Sequence, residues 1–319
     1  MSATQTPPKA DDTGLTSSRP HGRGDRVFRG IAVASGLVIM LALAGVFVFL
    51  AIEGLPAVSL DAGAYEPATS FLGYVGPLVF GTVLAALIAL LVAVPFAIGI
   101  ALFISHYAPR RLAAPVAYLI DLLAAVPSVV YGLWGGRELA KNIAGFQSWL
   151  HDWFGWLPFF AGPPSASGRT ILTAGLVLAI MVLPITTAIC REVFARTPRL
   201  NEEAALALGA TRWEMVRYAV FPYARSGMIS GVMLGLGRAL GETMAVAMVL
   251  SASPIVTLNL ISTENPATIA SNIAVNYAES TPEQQALLIA TGLVLFAFTF
   301  GVNFLARYVA GRSDRRMAK

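Results

Sequence analysis

A chain of 319 residues of which 56% are hydrophobic and only 13% charged, with a mean hydropathy of +0.69, cannot cover a water-facing surface, because an average soluble domain carries about a quarter charged residues. The net charge of +4 and pI near 9.4 do not indicate nucleic acid, since the basic residues lie between apolar runs and form no binding stripe. A single cysteine, Cys190, excludes an internal disulfide framework, and His21, His106 and His151 have no metal-ligand spacing.

Residues 1–26 are polar and rich in Pro, Gly, Ser and Thr, which predicts a disordered cytoplasmic tail. The first apolar run, 27–52, exceeds the ~20 residues that a bilayer core requires. Ala42-Leu43-Ala44 resembles a cleavage site, but the run continues through Val46 to Leu50, as a retained anchor does and a cleaved signal does not. Further runs at about 74–106, 112–134, 170–190, 221–250 and 285–308 bring the expectation to an all-α integral membrane protein of about six transmembrane helices. Continuous apolar runs exclude a β-barrel, whose strands alternate.

Of the 22 Lys and Arg residues, Arg238 lies inside a span and only Arg137, Lys141 and Arg169 fall in the loops opposite the termini. Positive charge is retained on the cytoplasmic side, so both termini are expected there. The loops 53–73 and 251–284 carry acids and no basic residue, in keeping with an outer location. In the outer segment between spans three and four, Phe146, Trp149, Leu150, Trp153, Phe154 and Leu157 recur at helical spacing among polar residues. That pattern predicts a helix lying in the interface, either as an aromatic anchor or as a docking surface for an external partner. Pro95, Pro127 and Pro184 are expected to kink their spans, with Thr186 and Thr187 bonding the backbone that Pro184 frees.

The loop 191–220 has the clearest local chemistry. Thr197 can cap a helix, Pro198 suits its first position, Glu202 and Glu203 favour its N-terminus, and Gly209 can close it. Thr211 and Glu214 form a capping box that opens a second helix into the fifth span. A two-helix knob continuous with a membrane span is the expected result.

Here the sequence resembles a known family, the binding-protein-dependent ABC importer permeases, whose cytoplasmic loop carries Glu-Ala-Ala, three residues, then Gly. Glu203, Ala204, Ala205 and Gly209 match that spacing, while Ala219, Val220, Phe221 and Pro222 keep only the proline of the hydrophobic-x-Leu-Pro that follows in the family. The segment Gly237-Arg238-Ala239-Leu240-Gly241-Glu242-Thr243-Met244 is similar to a motif of phosphate-specific permeases, and the stretch from Asp121 through Pro127 to Gly135 resembles their PstC-type subunit. Together these regions span residues 70–319, a permease core with its coupling loop at 191–220. The resemblance implies type I importer architecture, translocation of inorganic phosphate and coupling through Glu203, Ala204, Ala205 and Gly209. It also implies two ATP-binding-cassette ATPases, a homologous second permease and an external phosphate-binding protein, in a bacterial cell membrane.

Arg238 and Glu242 carry weight without the family. An ionisable residue at mid-span costs on the order of 3 kcal/mol and needs a partner. Glu242, four residues on, is the candidate for an intrahelical ion pair, although Arg before Glu is the poorer order and a guanidinium can also grip an oxyanion through two bonds. Asp121 is the other acid inside a span, expected to be buried and assigned either to the substrate pathway or to a neighbouring helix. Gly227, Gly231 and Gly235 repeat every four residues, a spacing that permits close approach of a helix within the chain or in a second subunit. A secondary phosphate transporter is a weaker reading, as no internal repeat is evident and the knob would have no task. A permease for another oxyanion remains open. A membrane enzyme would need a nucleophile–base or metal constellation, and none stands out. No cofactor is expected in this chain. A P-loop requires Gly-Lys, whereas Lys9, Lys141 and Lys319 follow Pro, Ala and Ala, so ATP is expected to be used by a partner.

Overall fold

A computed structural model of the chain describes residues 23–60, 62–66 and 68–317. The expected tail over 1–26 therefore lies outside the described residues up to position 22, and residues 23–26 already belong to a helix. The chain divides into two units, 1–48 and 49–319. In the first, the described residues belong to α1 (Arg23–Gly54), which contains the expected first span and continues into the second unit.

The second unit is helical. After two short 3₁₀ turns comes α2 (Phe71–Leu102), capped by Ser70 and prolonged by a π turn at Phe103–Tyr107. Next are α3 (Arg110–Ala124), α4 (Ser128–Trp134) and α5 (Ala140–Phe154), the last two joined through a π turn at Gly135–Leu139. They are followed by α6 (Ile171–Ala195), α7 (Arg199–Ala207), α8 (Arg212–Met215), α9 (Phe221–Gly241), α10 (Met244–Val249), α11 (Ile269–Asn276) and α12 (Pro282–Met317). Two-residue strands, β1 (Ala252–Ser253) and β2 (Asn265–Pro266), pair in parallel within the loop between α10 and α11.

Among the described residues four helices, α1, α2, α6 and α12, are long and apolar enough to cross a membrane, and the pair formed by α3 with α4–α5 supplies a fifth crossing if it is one span. The expected third span, 112–134, is not straight. The chain bends by 90° between Ala124 and Ser128, because Pro127 cannot donate and disfavours helical geometry in the residue before it. Tyr131 ties the two arms together by donating to the Leu123 carbonyl at 2.8 Å. Pro95 and Pro184, in contrast, sit within unbroken helices. The Thr186 and Thr187 hydroxyls are buried with no hydrogen-bond partner, so they do not bond the backbone near Pro184 as expected.

The helix expected at 146–157 is formed as far as Phe154, as the end of α5, with Phe146, Trp149 and Trp153 exposed. The face that contains Gln147 meets protein. Gln147 is fully buried and donates to Thr170 at 2.8 Å and Thr173 at 3.0 Å, where α6 begins.

The core of this unit sits around α6. Ala85, Ala89 and Ala93 of α2 pack on Ala174, Val177, Leu178 and Met181 of α6, with Leu240 and Val246 from α9 and α10 closing the cluster. Small residues set the spacing. A Cβ on Gly231 would stand 3.1 Å from Ile189, and one on Gly235 would stand 2.6 Å from Val182, while Gly227 faces Val193. The glycine stripe of α9 is thus spent on α6 within the chain, whereas Gly237 and Gly241 meet open space.

Replacing Gly231 by Leu is expected to force α9 off α6 at a cost of about 1–3 kcal/mol, lowering the yield and melting temperature of the purified complex, whereas Gly237→Ala should leave both unchanged. Equal behaviour of the two variants would contradict the packing.

Candidate functional site

The loop 191–220 folds as the knob its sequence describes, with one change at its start. α7 begins after Pro198, whose backbone is extended, and Thr197 does not cap it. The Thr197 hydroxyl is buried without a partner. At the other end Gly209 takes φ +87°, the Gly209 N–H donates to Leu206 at 3.0 Å and the Ala210 N–H to Ala205 at 3.2 Å. That pair of bonds is the Schellman closure, which places a glycine in the left-handed region. Leu200, Leu206, Leu208 and Trp213 are exposed around the knob, Leu208 to 89%. Exposed apolar side chains clustered on a short solvated loop mark a contact surface.

Two features join the knob to the membrane helices. Thr211 and Glu214 complete the expected capping box, with the Glu214 carboxylate accepting from the Thr211 N–H at 2.8 Å, and α8 then passes through a π turn at Val216–Val220 into α9. His106, in the π turn that prolongs α2, meets Glu202 of α7 at 3.4 Å and packs edge-on against Phe194 of α6. Sequence reading took no signal from His106, because only the fold brings residues 106 and 202 together.

Arg238 and Glu242 are placed differently from the expectation. α9 ends at Gly241, so Arg238 sits in its last turn, where the helix C-terminus itself favours a cation. Glu242 has extended backbone, φ −70° and ψ 127°, and its carboxylate accepts from the Ala245 N–H at 3.2 Å, where α10 begins. The intrahelical ion pair is therefore not made. The Nε of Arg238 is buried and has no hydrogen-bond partner. Arg238 lines a half-open groove of about 660 Å³ between α9 and α12, with Ser230, Asn303 and Arg307.

Asp121 is not buried. Its side chain is 53% exposed on α3 and pairs with Arg191 of α6 at 3.4 Å. No cluster of metal-ligating residues occurs among the described residues. One structural residue was missed entirely. Asn265 is fully buried, accepts from the Ile171 N–H at 2.9 Å and directs its amide to the Ser262 carbonyl at 3.1 Å, pinning the loop after α10 to the start of α6.

The comparisons with known proteins bear on this arrangement. The family model for the binding-protein-dependent transport system inner membrane component matches residues 93–315, and the chain belongs to that family of membrane transport components. Among its relatives, the chain is 45% identical over 305 residues, 92% of its own length and 94% of the other's, to phosphate transport system permease protein PstC 2 of Mycobacterium tuberculosis. It is 38% identical over 327 residues, 99% of each chain, to phosphate transport system permease protein PstC of Xylella fastidiosa. Its structure is similar to that of a bacterial ABC transporter involved in the import of the acidic polysaccharide alginate, with a TM-score of 0.51 at 18% identity, covering 90% of this chain and 99% of that one. The fold is that of a type I importer permease, all-α and multi-pass.

Glu214 supplies a pH test of the knob. Its carboxyl is held below the ordinary glutamate range, first by the Thr211 N–H and then by the Thr211 hydroxyl. A group whose value is lower in the folded state contributes stability above its unfolded value and loses it as pH falls through the folded one. Amide-exchange protection at Thr211 and Glu214 should hold at neutral pH and collapse in that acidic window, and Glu214→Gln should abolish the pH dependence. Unchanged protection in acid would contradict the capping box.

Proposed function

We propose that this chain is the membrane-embedded permease subunit of an ATP-binding-cassette importer that carries inorganic phosphate into the cytoplasm, with ATP hydrolysed by separate ATPase subunits. The observation that carries this reading is the buried, unpartnered Nε of Arg238, on a helix that continues through α8 into the exposed knob. A guanidinium offers a fork of donors matched to an oxyanion, and relatives bearing the name phosphate transport system permease support phosphate as that anion. Glu242, four residues on and engaged with α10, limits how tightly the anion is held, since conduction needs binding strong enough to admit an ion and weak enough to release it. Asp121 contributes by bracing α3 against α6 through Arg191.

In this account both termini are cytoplasmic, and α1, α2, the α3–α5 pair, α6, α9 and α12 make an even number of crossings. The partners are two ATP-binding-cassette ATPases, a homologous second permease and an external phosphate-binding protein, within a bacterial inner membrane. The Glu203, Ala204, Ala205 and Gly209 segment docks on an ATPase through the apolar residues that the knob exposes. The chain itself needs no cofactor.

The test is radiolabelled phosphate uptake in cells lacking other phosphate transporters, with complex abundance measured in parallel. Arg238→Gln should abolish uptake at normal abundance, and Arg238→Lys should restore only part of it, because Lys returns the charge without the bidentate geometry. Normal uptake by Arg238→Gln would contradict the reading.

Gly209→Glu should block uptake while the subunit still assembles, because an L-residue at φ +87° is strained and the added charge enters the docking surface. Normal transport by that variant would remove the knob from coupling. With Cys190 replaced, a C-terminal cysteine should resist an impermeant thiol reagent applied from outside, and labelling there would overturn the topology.

A further inference from the structure

The groove beside Arg238 is walled mainly by apolar residues, Ile229, Met233, Leu234 and Ala306 among them, and into it are set two arginines and an amide that the relatives' names do not explain. Ile229 and Arg238 both line it, and nine residue rises along α9 amount to about 13 Å. At about 660 Å³ it far exceeds the needs of one five-atom oxyanion, given that a water molecule occupies about 30 Å³ of liquid. It is therefore an elongated, half-open groove and not a closed subsite.

Hydrogen-bond accounting gives the space its sign. Among the described residues no carboxylate lines it. The Ser230 hydroxyl has given its proton to the Ser226 carbonyl at 3.0 Å, so it offers the cavity an acceptor only. The donors that remain are the guanidinium of Arg238, whose Nε is buried and unpaired, the guanidinium of Arg307 and the amide of Asn303. Neither Arg307 nor Asn303 makes a hydrogen bond or ion pair among the described residues. Asn303 and Arg307 are four residues apart on α12 and share a face.

We propose that Arg307 and Asn303 form, with Arg238, a passage for the hydrated oxyanion along the α9–α12 groove, in which Arg307 receives from the cytoplasmic side the ion that Arg238 releases. The inference rests on the reading of Arg238 as an anion-handling group and adds a second station to it. Arg238 lies in the last turn of α9, far from the cytoplasmic knob at which that helix originates, while Arg307 lies toward the cytoplasmic end of the oppositely directed α12. Two cationic stations in one groove let the ion exchange one guanidinium for the other without being trapped at either. The competing role for Arg307 is to anchor α12 at the lipid headgroups, as basic residues near span ends commonly do.

The experiment uses the assembled importer in proteoliposomes. With Cys190→Ser as background, Asn303→Cys should react with a charged thiol reagent from the cytoplasmic side, and inorganic phosphate, but not chloride at equal ionic strength, should slow that reaction. Arg307→Gln should lower phosphate uptake about tenfold or more at unchanged assembly, the loss expected for one charge-assisted contact to the ion. Failure of the reagent to reach Asn303→Cys, labelling indifferent to phosphate, or normal uptake by Arg307→Gln would each overturn the passage. Loss of uptake in Arg238→Gln with full uptake in Arg307→Gln defeats this extension alone, whereas full uptake in both defeats the reading of Arg238 as well.

Discussion

An arginine whose Nε is shut away from water has to be compensated, and the region around Arg238 is organised by how little of that compensation the chain provides. Burial of an unpaired donor is expensive, and a charge-bearing group raises the cost. The adjacent acid does not meet it, because Glu242 leaves the helix and caps α10. What the chain does offer is partial: the carbonyl end of α9 and an open cavity toward α12. In the proposed function an anion that comes and goes supplies the rest. Departure from regular helix at Glu242 belongs to the same economy, since irregular backbone at membrane depth persists where it meets protein or a water-filled cavity.

The same helix connects that guanidinium to the surface. From the Schellman closure at Gly209 through the Thr211 capping box, α8, the π turn and α9, the chain runs with no flexible linker between knob and Arg238. The His106 contact with Glu202 gives α7 a second attachment, to the end of α2. Tight seating of Gly231 and Gly235 on α6 then limits α9 to movements that carry α6 with it. The knob is thus attached to the α2–α6–α9 packing unit and not carried on a free loop.

Features that depend on local chemistry were legible in the sequence. Apolar run lengths located α1, α2, α6 and α12, and the knob was readable because Gly209, Thr211 and Glu214 act on backbone groups within five residues of themselves. Tertiary contacts were not readable. Hydropathy counted residues 112–134 as one span although Pro127 redirects the chain, and helical period alone could not tell that Gln147, on the polar side of its helix, meets the start of α6. Sequence distance made Glu242 the natural partner of Arg238, but the helix had already ended. Asp121 found Arg191, seventy positions away, and no local pattern announces such a pair. Asn303 did leave a signal, a lone amide within an apolar run, and Arg307 was absorbed into the topology count.

The most direct test of the central claim is a density map of the assembled importer trapped in the presence of phosphate. The account predicts a tetrahedral anion within hydrogen-bond distance of the Arg238 guanidinium, with Glu242 still turned toward α10. A carboxylate of a neighbouring subunit bonded directly to Arg238, with no anion between them, would contradict it.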